Sequence, residues 1–173
     1  KITETQKMLR KINEEENKGA GNNIVYGEAE INGSQVGVNG ESFDWDNLLI
    51  ATGARPFIPD FPGSQYGLTN RDILKIDKVP EKLNIVGGGI IAVEVANIYS
   101  TLGSEVTIIA RSKALKEIDS DIKDYIFKNL LSEINILEET DVVECKKNKV
   151  ITDKNEELEG VPFFATGRVA NSE

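Results

Sequence analysis

A glycine-rich turn at residues 86–96, VGGGIIAVEVA, constrains the fold of this chain more than any other feature. It follows an apolar strand pattern and leads into a helical pattern over residues 90–102. Gly87, Gly89 and Ala92 match the spacing G-x-G-x-x-A: the glycines permit a tight turn and close approach of a pyrophosphate, and the small third residue permits close helix packing. The helix N-terminus offers free N–H groups to the phosphates. The turn therefore predicts a dinucleotide site; the alternative is a βα turn that binds nothing.

Strand and helix patterns alternate around this turn. Strands are predicted at 83–86, 105–110, 134–137 and 162–165, helices at 90–102 and 119–132, and a small β-meander at 141–159. The residues expected to face the sheet are Ile91, Val95, Ile98 and Leu102 on the first helix and Ile122, Ile126 and Leu130 on the second. Together these patterns predict an α/β, Rossmann-like domain with three layers, a parallel sheet and a small β-meander.

The N-terminal part of the chain has a different pattern. Residues 4–18 predict a helix with one apolar face, and residues 24–47 predict an antiparallel meander with Asn-Gly hairpin turns at 32–33 and 39–40. The short apolar run at 48–51 is typical of a strand buried on both faces. We therefore expect residues 48–51 to lie inside a sheet.

Composition excludes several functions. The 173 residues carry a formal net charge of −9, include no His, and have Cys145 as the single Cys. Imidazole catalysis, an intrachain disulfide, a CxxC pair and a thiolate zinc site are therefore excluded, and we predict no catalytic and no metal-binding residues. The acidic charge argues against nucleic acid, and no apolar run reaches the roughly 18–20 residues that cross a membrane. Because no signal-peptide pattern occurs, we expect a cytoplasmic protein.

Residues at the end of the second predicted strand determine the preference between NAD and NADP. An NAD site favours an acidic residue there, because a carboxylate accepts hydrogen bonds from the ribose. This chain has Ala110, Arg111 and Ser112, then Lys116, and no carboxylate between Val106 and Lys116. Cations and a hydroxyl suit a 2′-phosphate, so we predict NADP, with NAD as the less favoured cofactor. The alternative is that Arg111 and Lys116 are solvated loop residues.

Three segments carry a resemblance to a known family: LLIATGARPFIPDFPG (48–63), VGGGIIAVEVANIYSTLGSEVTIIAR (86–111) and FFATGRVAN (163–171). In motif, order and spacing they resemble the FAD-dependent pyridine nucleotide–disulfide oxidoreductases, such as dihydrolipoamide dehydrogenase, glutathione reductase and mercuric reductase. The resemblance implies that hydride passes from NAD(P)H to FAD and onward to a disulfide or a metal ion, or the reverse. The final electron acceptor stays open.

The resemblance also implies roles for individual residues. The residues that match the two Ala-Thr-Gly motifs, which would lie against FAD, are Ala51, Thr52, Gly53, Arg55, Thr166, Gly167 and Arg168. The residues that match the NAD(P) turn and its helix are Gly87, Gly88, Gly89, Ile90, Ile91, Ala92 and Glu94. Ile90 takes the position of a lid over the flavin, and Glu94 that of a helix residue reaching toward the nicotinamide–flavin junction.

The chain departs from the family in what it lacks. No GxGxxG precedes residue 48, no CxxxxC pair occurs, and the catalytic His is absent. We therefore expect a central fragment that is not catalytically competent by itself. Its parts would be the end of the FAD-binding domain with a linker (1–67), the NAD(P)-binding domain (68–162) and a return strand to the FAD domain (163–173). FAD would bind through the missing domain, and the intact protein is expected to be a homodimer.

Two alternatives stay open. A freestanding nucleotide-binding or sensing module would lack catalytic groups naturally, although paired Ala-Thr-Gly motifs make sense only beside a FAD domain. A flavoprotein of the NADH oxidase or ferredoxin reductase type would lack the paired cysteines. The IAVE segment at 91–94 and the GARP segment at 53–56 favour the disulfide-reductase branch.

Overall fold

The computed structural model describes residues 2–172, and the chain packs as two compact units. The first comprises residues 1–52 and the second residues 53–173. The boundary predicted at 67/68 lies inside the second unit, because residues 53–67 hydrogen-bond with its later strands. The assignment of these units to FAD-binding and NAD(P)-binding domains stays a prediction.

In the first unit a helix precedes a three-stranded antiparallel meander. The elements are α1 (Ile2–Gly19), β1 (Ala29–Asn32), β2 (Gln35–Val38) and β3 (Glu41–Asp44). The strands pair in the order β1-β2-β3 through two-residue turns at 33–34 and 39–40. Asn39 and Gly40 have φ values of +53° and +85°, as a type I′ hairpin turn requires. The predicted helix and meander and the predicted turn at 39–40 are confirmed, whereas the first turn lies one residue later than predicted because Asn32 still pairs with Gln35 in the ladder.

The prediction of a buried strand at residues 48–51 is wrong. The segment forms no strand and its residues are exposed, Leu49 at 89% and Ile50 at 61%. A strand buried on both faces needs neighbouring strands and covering layers, and no strand among residues 2–172 pairs with this segment. The pattern identified an apolar run correctly but carried no information about a partner that would bury it.

The second unit is built on a parallel sheet of four strands in the order β11-β5-β6-β7. Its elements are β4 (Ala54–Pro56), a 3-10 turn (Ser64–Tyr66), β5 (Lys82–Val86), α2 (Ile90–Thr101), β6 (Glu105–Ala110), α3 (Ser120–Asn129), β7 (Asn135–Glu138), β8 (Val142–Lys146), β9 (Lys149–Thr152), β10 (Glu157–Glu159), β11 (Val161–Phe164) and β12 (Arg168–Ala170). Strands β8, β9 and β10 form an antiparallel meander, and β12 pairs with β4. The predicted α/β fold with a parallel sheet and a small meander is confirmed.

Successive side chains of the central strands enter two different cores, which produces three layers. Ile85 and Ile108 pack in the core that contains the buried residues of α2. Their neighbours Val86 and Ile109 pack in a second core, with Val150 of the meander. Neighbouring residues of a strand point to opposite faces, so a sheet covered on both sides needs continuous apolar runs.

The predicted inward faces of the helices are partly wrong. Predicted residues that do pack against the core are Ile91, Val95 and Ile126. Predicted residues that are exposed instead are Ile98, Leu102, Ile122 and Leu130. On α2 the buried positions also include Ala92, Ala96 and Tyr99, because small side chains let the helix approach the sheet closely. Of the helices in the described range, none is long and apolar enough to cross a membrane.

The apolar run at 162–165 belongs largely to the parallel sheet. Strand β11 pairs with β5 on one side, and on the other side Leu68 exchanges two 2.8 Å hydrogen bonds with the Pro162 carbonyl and the Phe164 N–H. The predicted boundary at 162/163 therefore cuts through β11, whose Phe163 and Phe164 lie in the two cores. Pro162 is tolerated because β11 is the end strand of the four-stranded sheet.

Hydrogen exchange tests the difference between the two units. The parallel sheet lies between two cores, whereas residues 20–52 are exposed almost throughout. We expect amides of β5 and β6 to exchange at least about 100-fold more slowly than those of β1 and β3, because local opening is easiest where few apolar contacts must break. The measurement is amide exchange on the purified chain, and equal protection in both units would contradict the expectation.

Candidate functional site

Three consecutive glycines join β5 to α2, and two of them are held against other segments. Gly87 has φ +118°, and a Cβ there would collide with the carbonyl oxygen of Ala165. A Cβ on Gly88 would lie 2.8 Å from the Cβ of Ala110 and 3.1 Å from the Cα of Ala114. Glycine is needed at both positions, because the end of β11 and the loop after β6 lie directly against the turn.

Gly89, in contrast, faces open space. Beyond its chain neighbours, no atom lies within 4 Å of the position that a Cβ would take. No side chain caps the first turn of α2, so the N–H groups of Ile90, Ile91 and Ala92 have no partner within the helix. The positive end of the helix dipole adds to their attraction for an anion. Room and hydrogen-bond donors for a phosphate therefore coincide at Gly89, where the motif spacing expects them.

The loop that follows β6 lies over this turn. Ala110 is only 3% exposed, and the Leu115 N–H donates a 2.8 Å hydrogen bond to the Gly88 carbonyl. Arg111, Ser112 and Lys116 are exposed, and within residues 2–172 neither cation has a carboxylate in ion-pair range. They follow the carboxyl end of β6, the edge where open α/β sheets bind ligands. Two uncompensated cations therefore accompany the glycine turn.

The sequence pattern missed a carboxylate beside this loop. Glu138 ends β7, directly opposite Ala110 in the register of the sheet. Its Oε1 accepts a 2.8 Å hydrogen bond from the Ala114 N–H, and its Oε2 lies 3.0 Å from Nζ of Lys113. Burial alone would raise the pKa of Glu138, but these hydrogen bonds and the lysine charges outweigh it and hold that pKa below its ordinary value. Because Glu138 lies on a different strand, only the strand register could have revealed it.

The segments that follow the two Ala-Thr-Gly motifs pair with each other. The predicted residues in this pairing are Arg55, Thr166, Gly167 and Arg168. The Arg168 guanidinium donates to the Ala54 carbonyl at 2.6 Å. The Thr166 hydroxyl donates to the Phe57 carbonyl at 2.7 Å, and the Phe57 N–H donates to the Gly167 carbonyl at 3.0 Å. Of the other predicted residues, Ala51 and Thr52 belong to the first unit, and Gly53 begins the second.

The remaining predicted residues lie on the first turns of α2. Ile90 is 60% exposed, and Glu94 is exposed on the same helix. Ile91 packs partly against the core, and Ala92 is fully buried on the side of α2 that faces the core. Ala92 therefore provides the close helix–strand contact that the third motif position requires. The roles of Ile90 and Glu94 toward a flavin stay predictions.

The single cysteine packs in the interior. Cys145, on β8, is 2% exposed and lies in the core between the parallel sheet and the meander. Burial, with a further contribution from the Glu144 charge, raises the pKa of its thiol to about 11. The thiolate is the reactive form, and little of it exists at neutral pH. Cys145 is therefore a packing residue.

A parallel sheet with a glycine turn at its carboxyl edge, leading into a helix, defines an α/β domain of the Rossmann type. Residues 4–173 match the family described as pyridine nucleotide-disulphide oxidoreductases. The chain belongs to this family.

Named relatives have related oxidoreductase activities. The chain is 33% identical to a dihydrolipoyl dehydrogenase of Mycoplasma genitalium, over 90% of this chain and 37% of the relative. It is 35% identical to a glutathione reductase of Nostoc sp., over 88% of this chain and 35% of the relative. In structure it resembles the HOCl-induced flavoprotein disulfide reductase RclA from Escherichia coli, with a TM-score of 0.74 and 27% identity over 87% of this chain and 37% of that one. The chain thus spans little more than a third of the length of these relatives.

Two alanine substitutions separate the structural glycine from the open one. We expect Gly87→Ala to destabilise the chain by at least about 2 kcal/mol, because it combines a positive φ with a backbone collision. Gly89→Ala is expected to change the free energy of unfolding by less than about 1 kcal/mol, because the site is open and φ is negative. Urea denaturation of both variants measures this difference, and equal destabilisation would contradict it.

Proposed function

We propose that the glycine turn and the loop after β6 bind a nicotinamide dinucleotide for hydride transfer in a FAD-dependent disulfide oxidoreductase. The observation that carries this proposal is the open space at Gly89 in front of the uncapped N-terminus of α2. Because Gly87 and Gly88 lack a Cβ, the neighbouring segments can lie close to the turn, and the small Ala92 lets the helix pack against the sheet. The N–H groups of the first helical turn would bind the pyrophosphate.

We further propose NADP(H) as the dinucleotide. Arg111 and Lys116 are exposed beside the turn, and Ser112 adds a hydroxyl. A 2′-phosphate would gain charge-assisted hydrogen bonds from these groups, worth roughly 1.5–3 kcal/mol each. Lys113 contributes less, because the Glu138 carboxylate lies 3.0 Å from its ammonium group. The preference therefore rests on Arg111 and Lys116.

The flavin side of the proposal rests on the paired Ala-Thr-Gly motifs. A Cβ on Gly53 or Gly167 would meet open space, so the backbone at both motifs is accessible to a flavin. Bound there, FAD would supply the redox chemistry that accepts the hydride of the nicotinamide and delivers its electrons to an acceptor. The part of this chain is to hold the dinucleotide and to supply residues 53–55 and 166–168, which pair within the second unit, to the flavin surface. Oxidation of a dithiol, reduction of a disulfide and reduction of a metal ion each fit the name of one of the relatives.

The proposal also covers turnover by the isolated chain, the oligomeric state of the intact protein and its compartment. This chain has no His, and its single Cys is buried, so we propose that it performs no complete oxidoreductase turnover by itself. A homodimer is proposed for the intact protein, because it is typical of the family. We propose the cytoplasm as the compartment.

Calorimetric titration of the purified chain with NADPH and with NADH, at low and high salt, tests the cofactor preference. We expect NADPH to bind several-fold more tightly than NADH, and its affinity to fall more steeply with salt, because only NADPH carries the 2′-phosphate. In Arg111→Ala the NADPH affinity should fall by about tenfold, as the loss of one charge-assisted hydrogen bond predicts. NADH affinity should stay within about twofold, since no pyrophosphate contact changes.

The matched control is Arg71→Ala, which removes an exposed arginine from the segment that contacts the other end of α2 through the Tyr99–Ile73 hydrogen bond. It should leave both affinities unchanged. Equal binding of the two dinucleotides, or equal losses in Arg111→Ala and Arg71→Ala, would remove the NADP assignment. If neither dinucleotide binds, the proposed function is overturned.

A second variant tests the pyrophosphate position. Gly89→Ala places a methyl group in the open space before α2, and we expect it to weaken NADPH and NADH alike by at least about tenfold. Gly19→Ala, at a glycine of the first unit that also faces open space, is the control and should change neither affinity. Unchanged binding in Gly89→Ala would show that the phosphates bind elsewhere.

A further inference from the structure

Glu138 occupies a position that the dinucleotide-binding motif does not describe. It is the last residue of β7, the third strand of the parallel order from β5, and its register partner is Ala110 at the end of β6. Its carboxylate therefore lies at the same carboxyl edge as the loop that carries Arg111 and Lys116. Its side chain is 25% exposed, so solvent screens it only in part.

Both oxygens of this carboxylate are engaged by the loop or by α3. Oε1 accepts the 2.8 Å hydrogen bond from the Ala114 N–H and lies 4.0 Å from Nζ of Lys123 on α3. Oε2 lies 3.0 Å from Nζ of Lys113, which also lies 3.7 Å from Oε1 of Glu139. Lys113 is thus the cation of this loop whose charge is compensated.

The same hydrogen bond connects the loop to the glycine turn. Ala114, which the Glu138 carboxylate holds through its N–H, lies against Gly88 so closely that a Cβ on Gly88 would lie 3.1 Å from its Cα. The next residue, Leu115, donates its N–H to the Gly88 carbonyl at 2.8 Å. A substitution of Glu138 is therefore expected to alter both the net charge around the loop and the position of the loop over the glycine turn.

We propose that Glu138 is a positioning residue that sets the dinucleotide preference of this site: it holds Ala114 over the glycine turn and, by engaging Lys113, lowers the affinity for a 2′-phosphate. The inference rests on the proposed function. It implies that the ratio of NADPH affinity to NADH affinity is smaller than it would be if Arg111, Lys113 and Lys116 all lacked a carboxylate partner. A second reading, in which Glu138 accepts a hydrogen bond from the ribose, predicts the opposite response and is separated by the test.

Glu138→Gln tests the proposal, because the amide oxygen can still accept from the Ala114 N–H while the negative charge is removed. The ligands are NADPH and NADH, with adenosine 2′,5′-bisphosphate and 5′-AMP as probes of the 2′-phosphate alone. We expect affinity for the two 2′-phosphate ligands to rise by about three- to tenfold, and affinity for NADH and AMP to stay within about twofold. The salt dependence of NADPH binding should become steeper, because one more cation is free.

Three further substitutions establish the cause. Glu105→Gln removes the same charge at the opposite end of β6, where Glu105 pairs with Lys82 at 2.9 Å, and should change no affinity. With Lys113→Ala also present, Glu138→Gln should give a smaller gain, since the coupling runs through Lys113. If Glu138→Gln lowers the melting temperature, Glu139→Gln serves instead. It removes a 71%-exposed carboxylate from the same lysine and should give about a twofold gain for NADPH.

The outcomes are distinct. Equal changes for NADPH and NADH would mean that Glu138 only supports the structure, and no change in the ratio would mean that it has no part in the preference; either overturns the inference. A selective loss of NADH affinity would mean that Glu138 contacts the ribose, which also overturns it. If the unsubstituted chain binds neither dinucleotide, the proposed function fails and the inference fails with it. Binding by the unsubstituted chain with no selective response in the variants rejects the inference alone.

Discussion

The close approach of three segments at Gly87 and Gly88 is the constraint on which the second unit depends. The carbonyl after β11 lies where a Cβ of Gly87 would be, and Ala110 and Ala114 lie where a Cβ of Gly88 would be. Because both glycines lack a Cβ, the ends of β5, β6 and β11 meet at one point with no side chain between them. That meeting places the N-terminus of α2, the loop after β6 and the second Ala-Thr-Gly motif around one edge of the sheet.

The second unit keeps this edge fixed by covering both faces of its sheet. Neighbouring side chains, such as Ile108 and Ile109, enter the helix-side core and the meander-side core. Each central strand therefore packs against a core on both faces. Arg111 and Glu138, proposed here to act on the dinucleotide, lie at these ends, so their positions depend on the packing of the sheet below them.

Much of the fold could be predicted because it depends on local patterns. Continuous apolar runs predicted β5, β6 and β11, and the Asn-Gly pairs predicted both hairpin turns to within one residue. The failures share a cause, which is that burial depends on neighbours. Leu49 is apolar and yet 89% exposed because no strand pairs with its segment, and Ile98 is exposed because the alanines of α2 face the sheet.

The sequence by itself determined the elements of the proposed dinucleotide site that follow one another along the chain: the three glycines, the small Ala92 and the cations after β6. Spacing is enough for these, because the chemistry needs a tight turn, a close helix and a charged loop in a fixed local order. Only the tertiary structure decided that Glu138 engages Lys113 and Ala114, and that the segments after the two Ala-Thr-Gly motifs pair as β4 and β12. The physical reason is strand register, which brings together residues far apart in sequence and leaves no trace in local periodicity.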